Sequence, residues 1–378
     1  MLKLKRTNYF SIKVVLSLDK QKQIELIKEF ADEYSVPGFE QAMVKRFLKY
    51  GQKYGQTKVD GIFNAYIYRT QNTQQQPVVQ LDAHSDSVGF IVQAIRPNGL
   101  IKFATLGGWV PTNVPATKVV IRNKEGKLIK GVVATKPPHF MTKEEMNQVP
   151  TIAEMSIDVG SASRQETLEH YKIDTGCPIF VDAKCEYFED SELFLGKDFD
   201  NRLGAAALID VLDELKDEKL DVDVVAALSS QEEVGLRGAY VTARKINPDL
   251  AIVFEGCPCD DTFTPDWLAQ TGLKRGPMLR DLDTTFIANP IFEDFTAHLA
   301  DQLNIPYTRS VRTGGGMNGA AITYWNGAPT IVLGIPVRYE HTAYNFAALS
   351  DYQNAVKIAV NVLKQVDAKT IASFKLCD

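Results

Sequence analysis

From Lys197 to the C-terminus the sequence alternates helix-like and strand-like segments, and this alternation leaves few architectures open. "DNRLGAAALIDVLDELKDE" places apolar residues at helical spacing, and "DVDVVAALSS" is a short apolar run. "RGAYVTARKI" is helical again, followed by the apolar "DLAIVFEG". "PIFEDFTAHLADQLN", "APTIVLGI" and "DYQNAVKIAVNVLKQV" continue the pattern. Strands separated by helices pair in parallel, and strands that are apolar throughout are buried on both faces. The expectation is an α/β fold: a mixed, mostly parallel sheet flanked by helices.

The N-terminal part adds to the same sheet. Gln21 to Gly51 reads as two helices broken at Pro37-Gly38, and "PVVQLDAH" as a buried strand ending at His84. The stretch between about residues 92 and 190 is different. "TKVVIRNKEGKLIKGVVAT" reads as a hairpin turning at Asn123–Gly126, and "AEMSIDVG", "CPIFVDA" and "ELFLGK" as further short strands. Its one helical signal is "SRQETLEHYKI". The expected organisation is a catalytic α/β domain over 1–91 and 191–378, interrupted by an inserted small all-β domain over 92–190.

At 378 residues the chain is long enough for this plan, and a formal net charge of −5 offers no basic surface to nucleic acid. No apolar run approaches the ~20 residues that cross a bilayer, so no membrane partner is expected. The opening "MLKLKRTNYFSIKVVLSL" places basic residues before an apolar stretch, but Lys13 interrupts it and no small-residue cleavage site follows. Cys177, Cys185, Cys257, Cys259 and Cys377 form no disulfide framework. Reduced thiols and a cytoplasmic location are expected.

The core strands run into polar residues at their ends. "VVQLDA" leads to His84 and Asp86, "VVAALSSQ" to Glu232 and Glu233, "LAIVF" to Glu255, and "TIVLGIPVRYE" to His341. Asp200 opens a helix, where it could serve as an N-cap. Open α/β sheets build their sites beyond the carboxyl ends of the strands. Imidazoles with carboxylates suit zinc, or cobalt or manganese. Five ligands with one bridging carboxylate suit two ions about 3.5–4 Å apart. In "HSD", Asp86 can accept the proton of the His84 nitrogen that faces away from a metal. The adjacent acids of "QEEVG" repel each other unless their tasks differ. On a strand, neighbouring side chains point to opposite sides, so one acid can bind metal while the other serves a metal-activated water as general base.

With "SVPGFE", "AHSDSVGF", "LGGW", "DNRLG", "QEEVGLRGA" and "RYEH" in this order, the sequence resembles the dinuclear-metal aminopeptidases. These include glutamyl aminopeptidase, deblocking aminopeptidase and the tetrahedral TET peptidases. The resemblance implies that His84 and Glu255 bind one metal, Glu233 and His341 the other, and that Asp200 bridges them. It makes Glu232 the catalytic base and Asp86 the support of His84. It also implies a PDZ-like or barrel domain used in assembly, with dimers building hollow dodecamers.

Two departures stand out. Glu255 replaces the usual Asp, and Gly316-Met317-Asn318 replaces Thr-Asp-Ala after the paired glycines of "TGGGMNG". That loop is expected beside the substrate rather than around a phosphate, since it lacks the P-loop Lys-Ser/Thr. A thiolate from Cys257 or Cys259 at a metal is a further candidate, while His139, His170 and His298 read as ordinary.

The expected function is metal-dependent removal of N-terminal residues from peptides. A water bridging two metals, zinc first, attacks the carbonyl with Glu232 as base. A metal and nearby carboxylates hold the free amino terminus. An acidic preference, glutamyl or aspartyl, would need a cation such as Arg237, Arg280 or Arg338. The rivals are a deacylase or deblocking hydrolase of N-acyl amino acids, a metal-free glycosidase built on a carboxylate pair, and a catalytically silent metal-binding assembly protein.

Overall fold

The computed structural model describes residues 19–375. The basic opening segment and Cys377 lie outside the described residues. A large sheet carries its strands in the spatial order Gly55–Val59, Ala65–Arg69, Asp223–Ser229, Val78–His84, Leu250–Pro258, Thr330–Arg338, Asn345–Ala348, Leu193–Gly196 and Glu186–Phe188. The four strands from Asp223–Ser229 to Thr330–Arg338 are parallel, and the pairings towards both edges are antiparallel. Two strands absent from the sequence reading, Met278–Leu282 and Thr308–Val311, pair side by side next to Thr330–Arg338.

The centre is parallel because its strands are apolar on both faces. In Leu250–Pro258, Leu250, Ile252 and Phe254 enter a core shared with Leu203, Leu208 and Val356. Ala251 and Val253 enter a second cluster with Ala243, Ala320 and Ile322 of two helices on the opposite face. Each large apolar side chain buried this way contributes about 1.5–3 kcal/mol. A single polar face would leave one of these clusters in water.

Between the strand Val78–His84 and the helix Phe199–Glu214 sits a closed six-stranded barrel with its own core around Phe90, Phe103, Ile121 and Ile179. Its strands run from Gly89 to Val181. The boundaries expected at 91/92 and 190/191 fall inside the strand Gly89–Ile95 and after Glu186–Phe188, which already pairs in the main sheet. The hairpin expected at Asn123–Gly126 joins Lys118–Arg122 to Leu128–Val133. There Asn123 Oδ1 accepts the N–H groups of Glu125 and Lys127, which is the local bonding that makes Asn a turn residue.

Parallel pairing also sets where the site lies. Ser229 is opposite His84, and Asp82 is opposite Val253, so His84, Glu255 and the turn after Ser229 emerge at one edge.

Candidate metal centre and its cavity

His84 ends its strand fully buried, with Nε2 2.9 Å from Asp200 Oδ1 and 3.1 Å from Glu255 Oε1. His341 presents Nε2 to the other side of the same acid, 3.4 Å from Asp200 Oδ2 and 3.5 Å from Glu233 Oε2. Asp200 therefore stands between two imidazoles, one oxygen to each. Its place depends on an irregular helix start. Asp198 has φ 59°, and Asp200 and Asn201 are non-helical within Phe199–Glu214. Asp200 is thus not a simple N-cap: its carboxylate turns to the histidines. Gly256 admits it, since a Cβ there would lie 2.6 Å from Asp200 Cα.

Two sets of donor atoms result, His84–Asp200–Glu255 and Asp200–Glu233–His341, each within 4.8 Å of one another. Glu233 Oε1 and Glu255 Oε2 are buried without a partner among the described residues. Buried carboxylate oxygens with nothing to accept from are costly, and a cation held by either set would satisfy them. The donor sets fit divalent metal ions.

Asp86 does something other than expected. Its side chain is 3.6 Å from His84 Nδ1, too far for a hydrogen bond, and its main-chain oxygen accepts from that nitrogen at 3.0 Å. The carboxylate instead accepts the backbone N–H of Glu232 at 3.0 Å on Oδ1 and of Glu233 at 3.1 Å on Oδ2. The two glutamates stand on a turn after Gln231 (φ 53°) and not on the strand. Asp86, rather than strand pleating, fixes the backbone from which they diverge. Glu232 Oε2 remains 3.9 Å from His84 Nε2, outside both donor sets.

Segments far apart in sequence hold this arrangement. Arg202 is buried and donates to the main-chain oxygens of Ser85 at 2.7 Å, Asp86 at 3.3 Å and Ser35 at 3.2 Å. Glu40 Oε1 accepts from Gly38 N and Gln231 N. From the barrel, Gly108 O receives His341 Nδ1 at 2.8 Å.

The electrostatics follow from crowding. Burial alone would disfavour charge on His84, but Glu255, Asp200 and Glu232 more than offset it and hold its pKa well above the ordinary value. Burial likewise opposes charge on His341, yet Asp200 and Glu340 hold it up at about 9. Burial pushes Glu255 up to about 8, with the Asp200 charge adding to it. Asp200 resists burial because both imidazoles draw it well below the carboxylate range. Such a site binds protons or cations in place of full ionisation.

Above these groups lies a cavity of about 680 Å³, lined on one wall by Thr313–Met317 as the sequence suggested. Arg280 and Arg312 line it too, and each has an acid: Asp283 lies 3.5 Å from Arg280, and Asp260 2.7 Å from Arg312. Arg338 is paired with Asp261, and Arg237 is exposed at a helix start. Cys257 is no metal ligand here. Its Sγ accepts from Arg280 at 3.2 Å, and burial pushes its thiol up to about 12. Cys259 belongs to neither donor set. Of the remaining histidines, His298 lies on the helix Pro290–Gln302 beside Gln302, His139 lies within the short 3-10 helix Pro138–Phe140, and His170 caps the short helix Arg164–Glu169 of the inserted region.

Sequence reading missed Glu340 and Arg312, which line the cavity, and the glycine carbonyl that orients His341. Glu340 was within reach, as the residue before His341 in "RYEH".

The M42 glutamyl aminopeptidase family model matches residues 64–358. The chain belongs to this family. Glutamyl aminopeptidase of Lactococcus lactis is 28% identical over 321 residues, covering 85% of this chain and 89% of that protein. A TET aminopeptidase from the marine sediment archaeon Thaumarchaeota archaeon SCGC AB-539-E09 superposes with a TM-score of 0.89 at 31% identity, over 94% of this chain and all of that one. The TET1 peptidase of Pyrococcus horikoshii, which can assemble into a tetrahedron or a large octahedral shell, gives 0.82 at 24% identity, over 91% of this chain and 100% of its own. This M42 chain is a metal-dependent aminopeptidase, and the glycosidase reading falls away.

Proposed function

We propose that this aminopeptidase works with two divalent cations, one held by His84, Asp200 and Glu255 and the other by Asp200, Glu233 and His341, and with Glu232 as general base. The observation that carries this reading is the division of the acids: two donor sets share Asp200, and Glu232 belongs to neither. When bound, the cations supply Lewis acidity to the scissile carbonyl and make water acidic enough to attack at neutral pH. Glu232 takes the proton of the attacking water and delivers it to the leaving amine. Asp86 positions Glu232 and Glu233 through their backbone N–H groups. A carbonyl can only accept, so His84 and His341 each donate through Nδ1 and keep Nε2 as the free donor atom. Nitrogen and oxygen donors suit zinc first, then cobalt or manganese.

Glutamyl or aspartyl residues at the peptide N-terminus would meet Arg280 and Arg312, in competition with Asp283 and Asp260. The barrel serves assembly of identical subunits, with dimers building to a dodecamer, as the resemblance to TET peptidases suggests. The four described cysteines are free, consistent with a reducing cytoplasm.

The test compares hydrolysis of a peptide with a free N-terminus against its N-acetylated form, in the presence of zinc, cobalt or manganese. Release from the free peptide alone is expected. Faster hydrolysis of the acylated form would replace the aminopeptidase by the deacylase.

A further inference from the structure

One acid at the floor of the cavity has no task in the mechanism above. Glu340 lines the cavity beside His341, and its side chain is 16% exposed. Its Oε1 is 3.8 Å from His341 Nε2, beyond hydrogen-bonding reach, and its Oε2 is buried without a partner among the described residues. Glu340 belongs to neither donor set. A carboxylate in that position is costly unless something cationic arrives with the ligand.

Charge counting indicates what arrives. Two divalent cations outweigh the ligand carboxylates of Asp200, Glu233 and Glu255 by one positive unit. Glu232 and Glu340 then bring the floor to one unit of net negative charge. The remaining acids do not add to this, because Asp283 faces Arg280, Asp260 faces Arg312, and the buried Arg202 offsets Asp86. An aminopeptidase substrate carries one positive charge next to its scissile bond, the α-ammonium group. We propose that Glu340 accepts a hydrogen bond from the N-terminal ammonium of the substrate and so sets the requirement for a free amino terminus. This rests on the aminopeptidase reading of the same site. It explains why the cavity needs an acid that neither binds metal nor moves a proton. Arg280 and Arg312, beside the loop Thr313–Met317, are left to meet the side chain of the first residue.

E340Q keeps the shape and removes the charge, and E340D keeps the charge with a shorter reach. For the aminoacyl-nitroanilide that the unaltered protein cleaves best, E340Q is expected to raise KM about 10- to 100-fold, the range of a charged hydrogen bond. Its kcat should change by no more than a few-fold, and E340D should recover part of the KM. The metal content of E340Q, measured by mass spectrometry, should equal that of the unaltered protein. In the unaltered protein, L-leucinol should inhibit at least tenfold more tightly than 4-methylpentan-1-ol, which lacks only the amine. E340Q should narrow that ratio. Loss of a cation from E340Q would make Glu340 a ligand and overturn the proposal. An unchanged KM, or equal inhibition of the unaltered protein by the two alcohols, would overturn it as well. If the unaltered protein cleaved no aminoacyl-nitroanilide at all, the aminopeptidase reading itself would be at fault.

Discussion

His341 Nδ1 lies 2.8 Å from the main-chain oxygen of Gly108, so a loop of the inserted barrel orients an imidazole that follows a strand of the main sheet. The neighbouring glycine makes that approach possible. Gly107 has φ 83°, and a Cβ on it would lie 2.6 Å from Val88 Cγ1 and 3.1 Å from Glu233 Oε2. The barrel thus forms part of the candidate metal centre.

Gly107→Ala should therefore damage the centre from outside the main sheet. A side chain at positive φ costs about 1–3 kcal/mol where the surroundings hold the backbone. The contact with Glu233 should also lower cation affinity. Thermal unfolding together with metal titration would show both effects. Unchanged affinity would mean that the loop only packs against the site.

Asp86→Asn tests the link between the two glutamates. An amide offers one accepting oxygen, so one of the two backbone N–H groups would face an NH2. A loss of roughly 10- to 100-fold in kcat/KM is expected, in line with other groups that orient metal ligands. Steady-state kinetics beside metal content would reveal it, and full activity in the variant would sever Asp86 from the mechanism.

The pH dependence of stability has a testable contribution far from the metal centre. Asp210 is half-buried on the helix Phe199–Glu214, and its desolvation there raises its pKa to about 6 although Tyr352 and Gln23 donate to it. A folded pKa above the unfolded value of 3.8 means that the folded state holds the proton longer. Asp210 then costs nothing below about pH 4, lowers stability progressively as pH rises to about 6, and adds no further slope above that. The total is about 2–3 kcal/mol. Asp210→Asn should remove this contribution, and urea unfolding at several pH values would show it. Parallel stability curves for the two proteins would refute the assignment.

Much of this was legible in the sequence, for a physical reason. Apolar runs ending in His84, Glu255 and His341 mark parallel strands, and parallel strands deliver their last residues to one edge. Glu232 and Glu233 were legible as a pair expected to point apart, but what sets them apart in the fold is the Asp86 carboxylate beneath a turn. The rest depends on contacts between distant segments that no local pattern encodes. Arg202 reaching Ser35 and Gly108 reaching His341 are of this kind. Asn318, one of the departures from the family pattern, donates to buried Asp82 at 2.8 Å and ties the cavity loop to the strand of His84. The acid of the family pattern would stand at Met317, which here is buried in the apolar cluster with Ala320 and Ile322.

The most direct measurement is on Glu232→Gln, with bound metal counted by mass spectrometry and turnover followed on an aminoacyl-nitroanilide. The account predicts two cations per chain, as in the unaltered protein, with kcat reduced roughly 10²- to 10⁴-fold, the share of a general base. Turnover at the parental rate, or loss of a cation from the variant, would contradict Glu232 as the base standing outside both donor sets.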